Sequence, residues 1–204
     1  MAVFGDKACF SIEYIPTNNR KGFFHFFVDN KDVLEYSLHG ETIKKEWDIT
    51  PIVSWLDSNL MTILAENECP VSVNGDTGIA MYNNCFSLPE LQLEQSIDMI
   101  QEWGFHHDWI IARGGLFLAE VFFRRLDDKI EISWDNRTLY SSCGLSFMNP
   151  IGAKLISIVC FKDVILAFSN YFNGTGDGSA SHEENSKNGT GDSPLPQKLT
   201  RCSG

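Results

Sequence analysis

The sequence predicts an α+β fold with a mainly antiparallel sheet, and three observations carry that prediction. Apolar residues alternate along the first third of the chain, later segments repeat at helical spacing, and residues 122–136 register as a hairpin about Asp127-Asp128. The resulting order is an N-terminal meander, helix, helix, hairpin and helix, which suits segregated layers and not a βαβ array.

Taken in order, Phe10, Ile12 and Tyr14 share one strand face, and Phe24, Phe26 and Val28 share another after the turn-rich PTNNRKG. Phe23 and Phe27 point the other way, so this strand is apolar on both faces. It is expected to be covered by helices on each side, the alternative being an exposed interaction patch. Asn30-Lys31-Asp32 then turns the chain into an extended run over 33–38, with Leu34, Tyr36 and Leu38 on one side, and 42–47 prolongs the meander.

Thr50 as N-cap and Pro51 at the first helical position open a helix whose stripe is Ile52, Trp55, Leu56, Leu60 and Ile63, ending before Pro70. Ser87-Leu88-Pro89-Glu90 has capping-box spacing and opens a second helix, with Leu93, Ile97, Ile100 and Trp103 inward and Gly104 as its C-terminal cap. In the hairpin Phe123 faces Ile132 and Val121 faces Trp134 on a buried side, while Arg124 faces Glu131 on a charged side. Residues 141–154 read as turns. A third helix over about 160–172 places Val164, Ile165, Phe168 and Phe172 on one face and stops at Asn173-Gly174.

With 204 residues and 43% hydrophobic content, the chain can bury a substantial core, and one α+β domain over 1–172 is expected. Beyond it, 173–204 has no aromatic residue and many Gly, Ser and Asn, the composition of a disordered tail. The net charge of −11 belongs mostly to the body, because the tail sets Asp177, Glu183, Glu184 and Asp192 against Lys187, Lys198 and Arg201. An acidic surface keeps a protein soluble, disfavours nucleic acid and anionic membrane, and favours a basic protein partner. The start lacks a signal-peptide pattern, and no apolar run approaches the roughly 20 residues of a membrane span, so the expected location is cytoplasmic. Six scattered cysteines without a C-x-x-C pair read as mostly buried free thiols.

Trp103, His106, His107, Asp108, Trp109 and Arg113 are the candidate binding residues. Imidazole and carboxylate together can move protons or hold a metal. Zinc ligands on a helix are spaced as in H-E-x-x-H, however, and adjacent histidines diverge, so no catalytic residue, metal ligand or cofactor is assigned. His182-Glu183-Glu184 lacks a second histidine, Gly114-Gly115 sits in no phosphate-loop pattern, and no Ser or Cys has a nucleophile's context. Asp127, Asp128, Glu131 and Asp135 are expected to form a turn and an exposed strand face.

The run 122–136, preceded by Trp103 and the histidines, resembles a recurring region of uncharacterised bacterial proteins, some of them similar to accessory regions found with ImmA/IrrE-type metallopeptidases in mobile-element and defence loci. The likeness covers about 103–136. The peptidase's H-E-x-x-H is absent, so the resemblance implies an accessory, sensing or immunity-like module and no proteolysis. The expected function is therefore a non-enzymatic acidic protein-binding module with Trp109 as an anchor. The alternatives are a metal-dependent hydrolase using His106 and His107, and a small-ligand sensor with an aromatic pocket near Trp103 and Trp109.

Overall fold

A computed structural model of the chain describes residues 1–18, 20–66, 68–114 and 117–175; from residue 176 on, the expected tail lies outside the described residues. The strands β1 (Ala2–Asp6), β2 (Phe10–Asn18), β3 (Lys21–Val28) and β4 (Lys31–Asp32) form an antiparallel meander. Next come β5 (Tyr36–Leu38), β6 (Glu41–Thr42) and β7 (Trp47–Asp48), and β7 completes a five-stranded sheet by pairing with β3. Helices α1 (Thr50–Ala65), α2 (Gly78–Cys85) and α3 (Glu90–His107) precede a 3-10 turn, Trp109–Arg113. The hairpin of β8 (Phe122–Leu126) and β9 (Lys129–Asp135) follows, then β10 (Leu145–Phe147), β11 (Ile151–Ser157) and α4 (Ile158–Thr175). Two further three-stranded sheets have the orders β10-β5-β6 and β11-β9-β8. The class is α+β with antiparallel pairing, as the alternation predicts.

The core forms where the inner face of the meander meets α1, α4 and the hairpin. Phe26 packs edge-on to Trp109 and Phe123, while Phe24 stacks on Phe168 of α4. Every expected stripe residue of α1 is buried, as are Val164, Ile165, Phe168 and Phe172 of α4. The hairpin register is the expected one, with Phe123 opposite Ile132 and Arg124 opposite Glu131.

Several local expectations are corrected. Ile49, not Thr50, is the N-cap of α1, and the Asp48 carboxylate accepts the Thr50 N–H at 3.0 Å. Likewise α3 starts after Pro89 without a side-chain cap, and Gly104 does not end it. A Cβ at Gly104 would run into the Tyr82 ring, so that glycine serves close packing and the helix continues to His107. Val33 and Leu34 are both buried in a turn, which leaves only Tyr36–Leu38 as strand in that run. The strand β1, the helix α2, and β10 and β11 in the supposedly turn-rich segment were not anticipated, making four helices among the described residues. Helix α4 passes Asn173-Gly174 and reaches Thr175.

The two-sided strand β3 is helix-covered on one side only. Opposite the core, Phe23 and Phe27 are half-buried, and charged side chains shield them: Lys7 sits over Phe27 at 4.0 Å and pairs with Glu13, while His25 meets Asp32 at 2.6 Å. The hairpin's charged side is not exposed either, because α2 and α3 pack over it and bury Phe122, Glu131 and Ser133.

Phe123 is fully buried between the rings of Phe26, Trp55, Trp109 and Phe161. Phe123→Ala is expected to lower the unfolding free energy by about 3–5 kcal/mol, read as a reduced denaturant midpoint at unchanged slope. An unchanged midpoint would contradict this packing.

Candidate functional site

The short helix α2 organises the surface around the hairpin, and its own N-terminus explains why it docks there. The first N–H groups of a helix lack intrahelical acceptors and carry partial positive charge. Here Thr77 accepts the Ala80 N–H, Ser133 Oγ accepts the Ile79 N–H at 3.2 Å, and Glu131 Oε1 accepts the Gly78 N–H at 2.5 Å. The other carboxylate oxygen of Glu131 takes a hydrogen bond from Arg124 Nη2 at 2.6 Å. Gly78 allows the approach, since a Cβ there would meet the Phe122 ring at 2.8 Å.

Docked in this way, α2 spans β8 and β9 and leaves β11 uncovered. A groove of about 410 Å³ runs between them, with Asp76, Thr77, Ile79 and Ala80 on the helix side and Ile151, Gly152 and Ala153 on the strand side. Asn136 N–H donates to Pro150 O and Ile158 N–H to Asp128 O, which with the register Ile151↔Asp135 fixes the direction of each peptide group. Gly152, Lys154 and Ile156 bond inward to β9, so the N–H and C=O groups of Ile151, Ala153 and Leu155 and the N–H of Ser157 point outward, while the Ser157 carbonyl opens α4. Among the described residues no strand pairs with that side. The side chains of Ile151 and Leu155, on the groove face, are 51% and 47% exposed.

A second cleft of about 420 Å³ lies on the other side of the Asp135–Arg137 pair, lined by Asn83, Glu120, Thr138 and Leu139. Arg137 donates to both Asp135 oxygens, at 2.8 and 2.6 Å, and these hydrogen bonds hold the Asp135 carboxyl below its ordinary range. Asn136, buried between them in sequence, clamps Glu120: its Oδ1 accepts the Glu120 N–H and its Nδ2 donates to the Glu120 carbonyl. The Glu120 carboxyl thereby meets that of Asp108. Burial, then the neighbouring Glu120 charge, raises Asp108 well above the usual carboxylate range. Burial also raises Glu120, with the Asp135 charge adding to it and the hydrogen bond from Asp108 opposing it. Asp108 therefore holds the proton and donates to Glu120. Burial, followed by the charges of this pair, pushes the Tyr82 hydroxyl up to about 12.

The candidate binding residues do not all converge: the Trp103 and His107 rings pack at 5.6 Å, but Trp109 lies in a different cluster. Trp103 is buried with Ile79 and Phe122 in a small cluster, whereas Trp109 is fully buried in the main core, its Nε1 donating to Ala119 O at 2.8 Å. Trp109 is thus a core residue and not an exposed anchor, and the two tryptophans belong to separate hydrophobic clusters. His106 Nδ1 meets Asn59 Oδ1 at 2.6 Å; His107, fully buried, uses Nδ1 on Phe123 O at 2.6 Å and Nε2 on Glu66 Oε2 at 3.0 Å. A carbonyl only accepts, so His107 Nδ1 carries a proton. Asp108 also caps the 3-10 turn by accepting the Ile110 N–H, and Arg113 lies beside the Tyr140 hydroxyl. Among the described residues no group of three or more His, Cys, Asp or Glu side chains is placed to hold a metal ion. Glu120 was overlooked, although a lone carboxylate in the apolar run LFLAEVFF signals a buried acid that needs a partner. Asp76, Ile151 and Leu155 carried no comparable signal.

Asp108 and Glu120, raised from ordinary values of 3.8 and 4.5, keep protons in the folded chain that the unfolded chain releases. The pair's contribution is full below about pH 4 and is lost as pH rises through the folded values. Asp108→Asn keeps both the cap and a donor to Glu120. Its melting midpoint is expected to match wild type near pH 4 and to exceed it at neutral pH, where the wild-type pair has lost its contribution. A difference that does not vary with pH would exclude the shared proton.

Compared with family models, curated proteins and solved structures, the chain finds no match in any of the three.

Proposed function

We propose that this protein is a non-enzymatic binding module that accepts an extended segment of a basic partner protein as an additional strand on β11. The observation that carries this reading is the open β11 edge beside the groove under α2. An added strand would satisfy the outward peptide groups of Ile151, Ala153 and Leu155 and the Ser157 N–H, and alternate side chains of that strand would enter the groove. Ile151 and Leu155 offer apolar contact, while the Asp76 carboxylate favours lysine or arginine at the groove positions; Asp135, on the same groove, is already paired with Arg137. With a net charge of −11, a second copy of this chain is a poor occupant and a basic partner a good one.

Other edges are less suited. In β1, Gly5 has φ +92°, which interrupts the extended run, and beside β8 the bridge from Asp108 to Phe122 and the Trp109 N–H on Val121 O already occupy the edge. An immunity or defence-accessory role, as the resemblance over 103–136 implies, would use such a surface to hold a basic protein. No helix among the described residues is long and apolar enough to cross a membrane.

Seven-residue peptides alternating valine with lysine or with glutamate provide the test. The lysine peptide is expected to slow hydrogen exchange at Ile151, Ala153, Leu155 and Ser157, and to bind more weakly as salt rises. Ala153→Pro deletes one outward N–H without touching the ladder to β9 and should weaken binding roughly three- to tenfold, the worth of one hydrogen bond. Equal binding of the glutamate peptide, or protection confined to another edge, would refute the proposal.

A further inference from the structure

We infer that Cys69 and Cys85 form an oxidant-sensitive dithiol that a hydroperoxide converts into an intramolecular disulfide. The two Sγ atoms lie 3.7 Å apart, beside the small apolar cluster of Ile79, Trp103 and Phe122. The pair was not recognisable as a motif, since it joins the segment between α1 and α2 to the last residue of α2. Its members are unequal: Cys69 is partly exposed and Cys85 fully buried.

That inequality assigns the roles. Cys69 is the thiol a small oxidant can reach. Burial, reinforced by Cys69, pushes the Cys85 thiol up to about 12, so it stays protonated until an electrophilic sulfur is presented to it. With hydrogen peroxide, the Cys69 thiolate attacks one peroxide oxygen, the O–O bond breaks, and the departing hydroxide takes up the proton that Cys69 released, leaving a sulfenic acid and water. Cys85 sulfur then attacks the Cys69 sulfur; the S–O bond breaks, and the hydroxyl leaves with the Cys85 proton as a second water. Two thiols and one peroxide become one disulfide and two waters, the sulfurs being oxidised and the peroxide oxygens reduced. The sulfurs must close from 3.7 Å to about 2.05 Å, a movement within reach of the partly exposed Cys69 side chain.

A consequence follows for the groove, and it rests on the binding function proposed above. Asp76, Thr77, Ile79 and Ala80, the whole helix-side wall, lie in sequence between the two cysteines. A disulfide closes that segment into a ring and restricts the wall before any strand is added, which favours binding by lowering its ordering cost.

The full chain is treated with hydrogen peroxide, free thiols are alkylated, and linkages are mapped by mass spectrometry after digestion without reduction. Peptides carrying Cys69 and Cys85 are expected to appear joined, and the link should vanish in Cys69→Ser and, as a second variant, Cys85→Ala. Cys9 and Cys160, which also contact each other, provide an internal comparison. Separately alkylated Cys69 and Cys85 peptides, or Cys69 driven to sulfinic acid without a link, would overturn the dithiol. Affinity for the lysine peptide is expected to rise roughly fivefold or more on oxidation, the low end of coupling between sites, and not in Cys69→Ser. An unchanged affinity alongside a mapped disulfide refutes the coupling. If neither redox form binds the peptide, the groove fails and the linkage map alone decides the dithiol.

Discussion

The Glu131 carboxylate is the constraint on which the surface of this protein depends. A carboxylate that is only 4% exposed is tolerable when its charge is met from several directions, and here Arg124 supplies a guanidinium while Gly78 supplies a peptide N–H at the positive end of α2. The requirement is mutual, because a short helix with little apolar stripe has weak reason to form alone. Glu131 and Ser133 supply acceptors for its first N–H groups, Phe122 supplies the apolar floor, and Gly78 removes the side chain that would hold the two apart. Once α2 is fixed there, its far side and the exposed face of β11 necessarily enclose a groove.

The polar residues of the Trp103–Arg113 region play a different part. His107 Nδ1 and Trp109 Nε1 are directed to backbone carbonyls, and Asp108 turns one oxygen to the Ile110 N–H. Each side chain closes a peptide group left open where α3 ends and the chain turns toward β8, so the cluster joins elements whose backbones cannot satisfy each other. Its one group in reserve is the proton held between Asp108 and Glu120, at the inner end of a cleft rimmed by Asp135 and Arg137.

Legibility in the sequence followed the strength of local periodicity. The meander core, α1, the hairpin register and the inner face of α4 were readable because each buries one face and repeats over enough residues to reveal it. β11 was not, since Asn149-Pro150-Ile151-Gly152 has turn composition, and Gly152 is there because Trp134 occupies the space of its side chain. α2 spans only eight residues and takes its stability from Glu131, more than fifty positions away in sequence. Gly104 carried a local signal with the wrong meaning: a glycine near a helix end suggests a cap, but the approach of Tyr82 is a tertiary fact. Trp109 had the same ambiguity, as an aromatic residue outside any stripe suits an interface and a core equally well. The site was therefore less legible than the fold, for its members come from four separate segments: Asp135 and Ile151 meet across the β9–β11 ladder, Asn136 holds Glu120 beside them, and the docking of α2 adds Asp76.

An open sheet edge is a hazard that proteins ordinarily suppress, so the state of each edge is informative. β1 bends at Gly5, β6 has two residues, and β8 is closed by the backbone at Asp108 and Trp109. β11 has seven residues, no proline and no bulge; its lysine, Lys154, is turned to the face opposite Ile151 and Leu155, where it meets Asp29 at 3.1 Å. What guards this edge is longer in range. A net charge of −11 opposes the approach of two copies of the chain and would favour that of the basic segment proposed as partner. In the proposed binding mode charge would act as the selector and the backbone as the receptor: the first would set which chains reach β11, and the second would hold an extended one, with the alternation of a strand deciding which side chains enter the groove under α2.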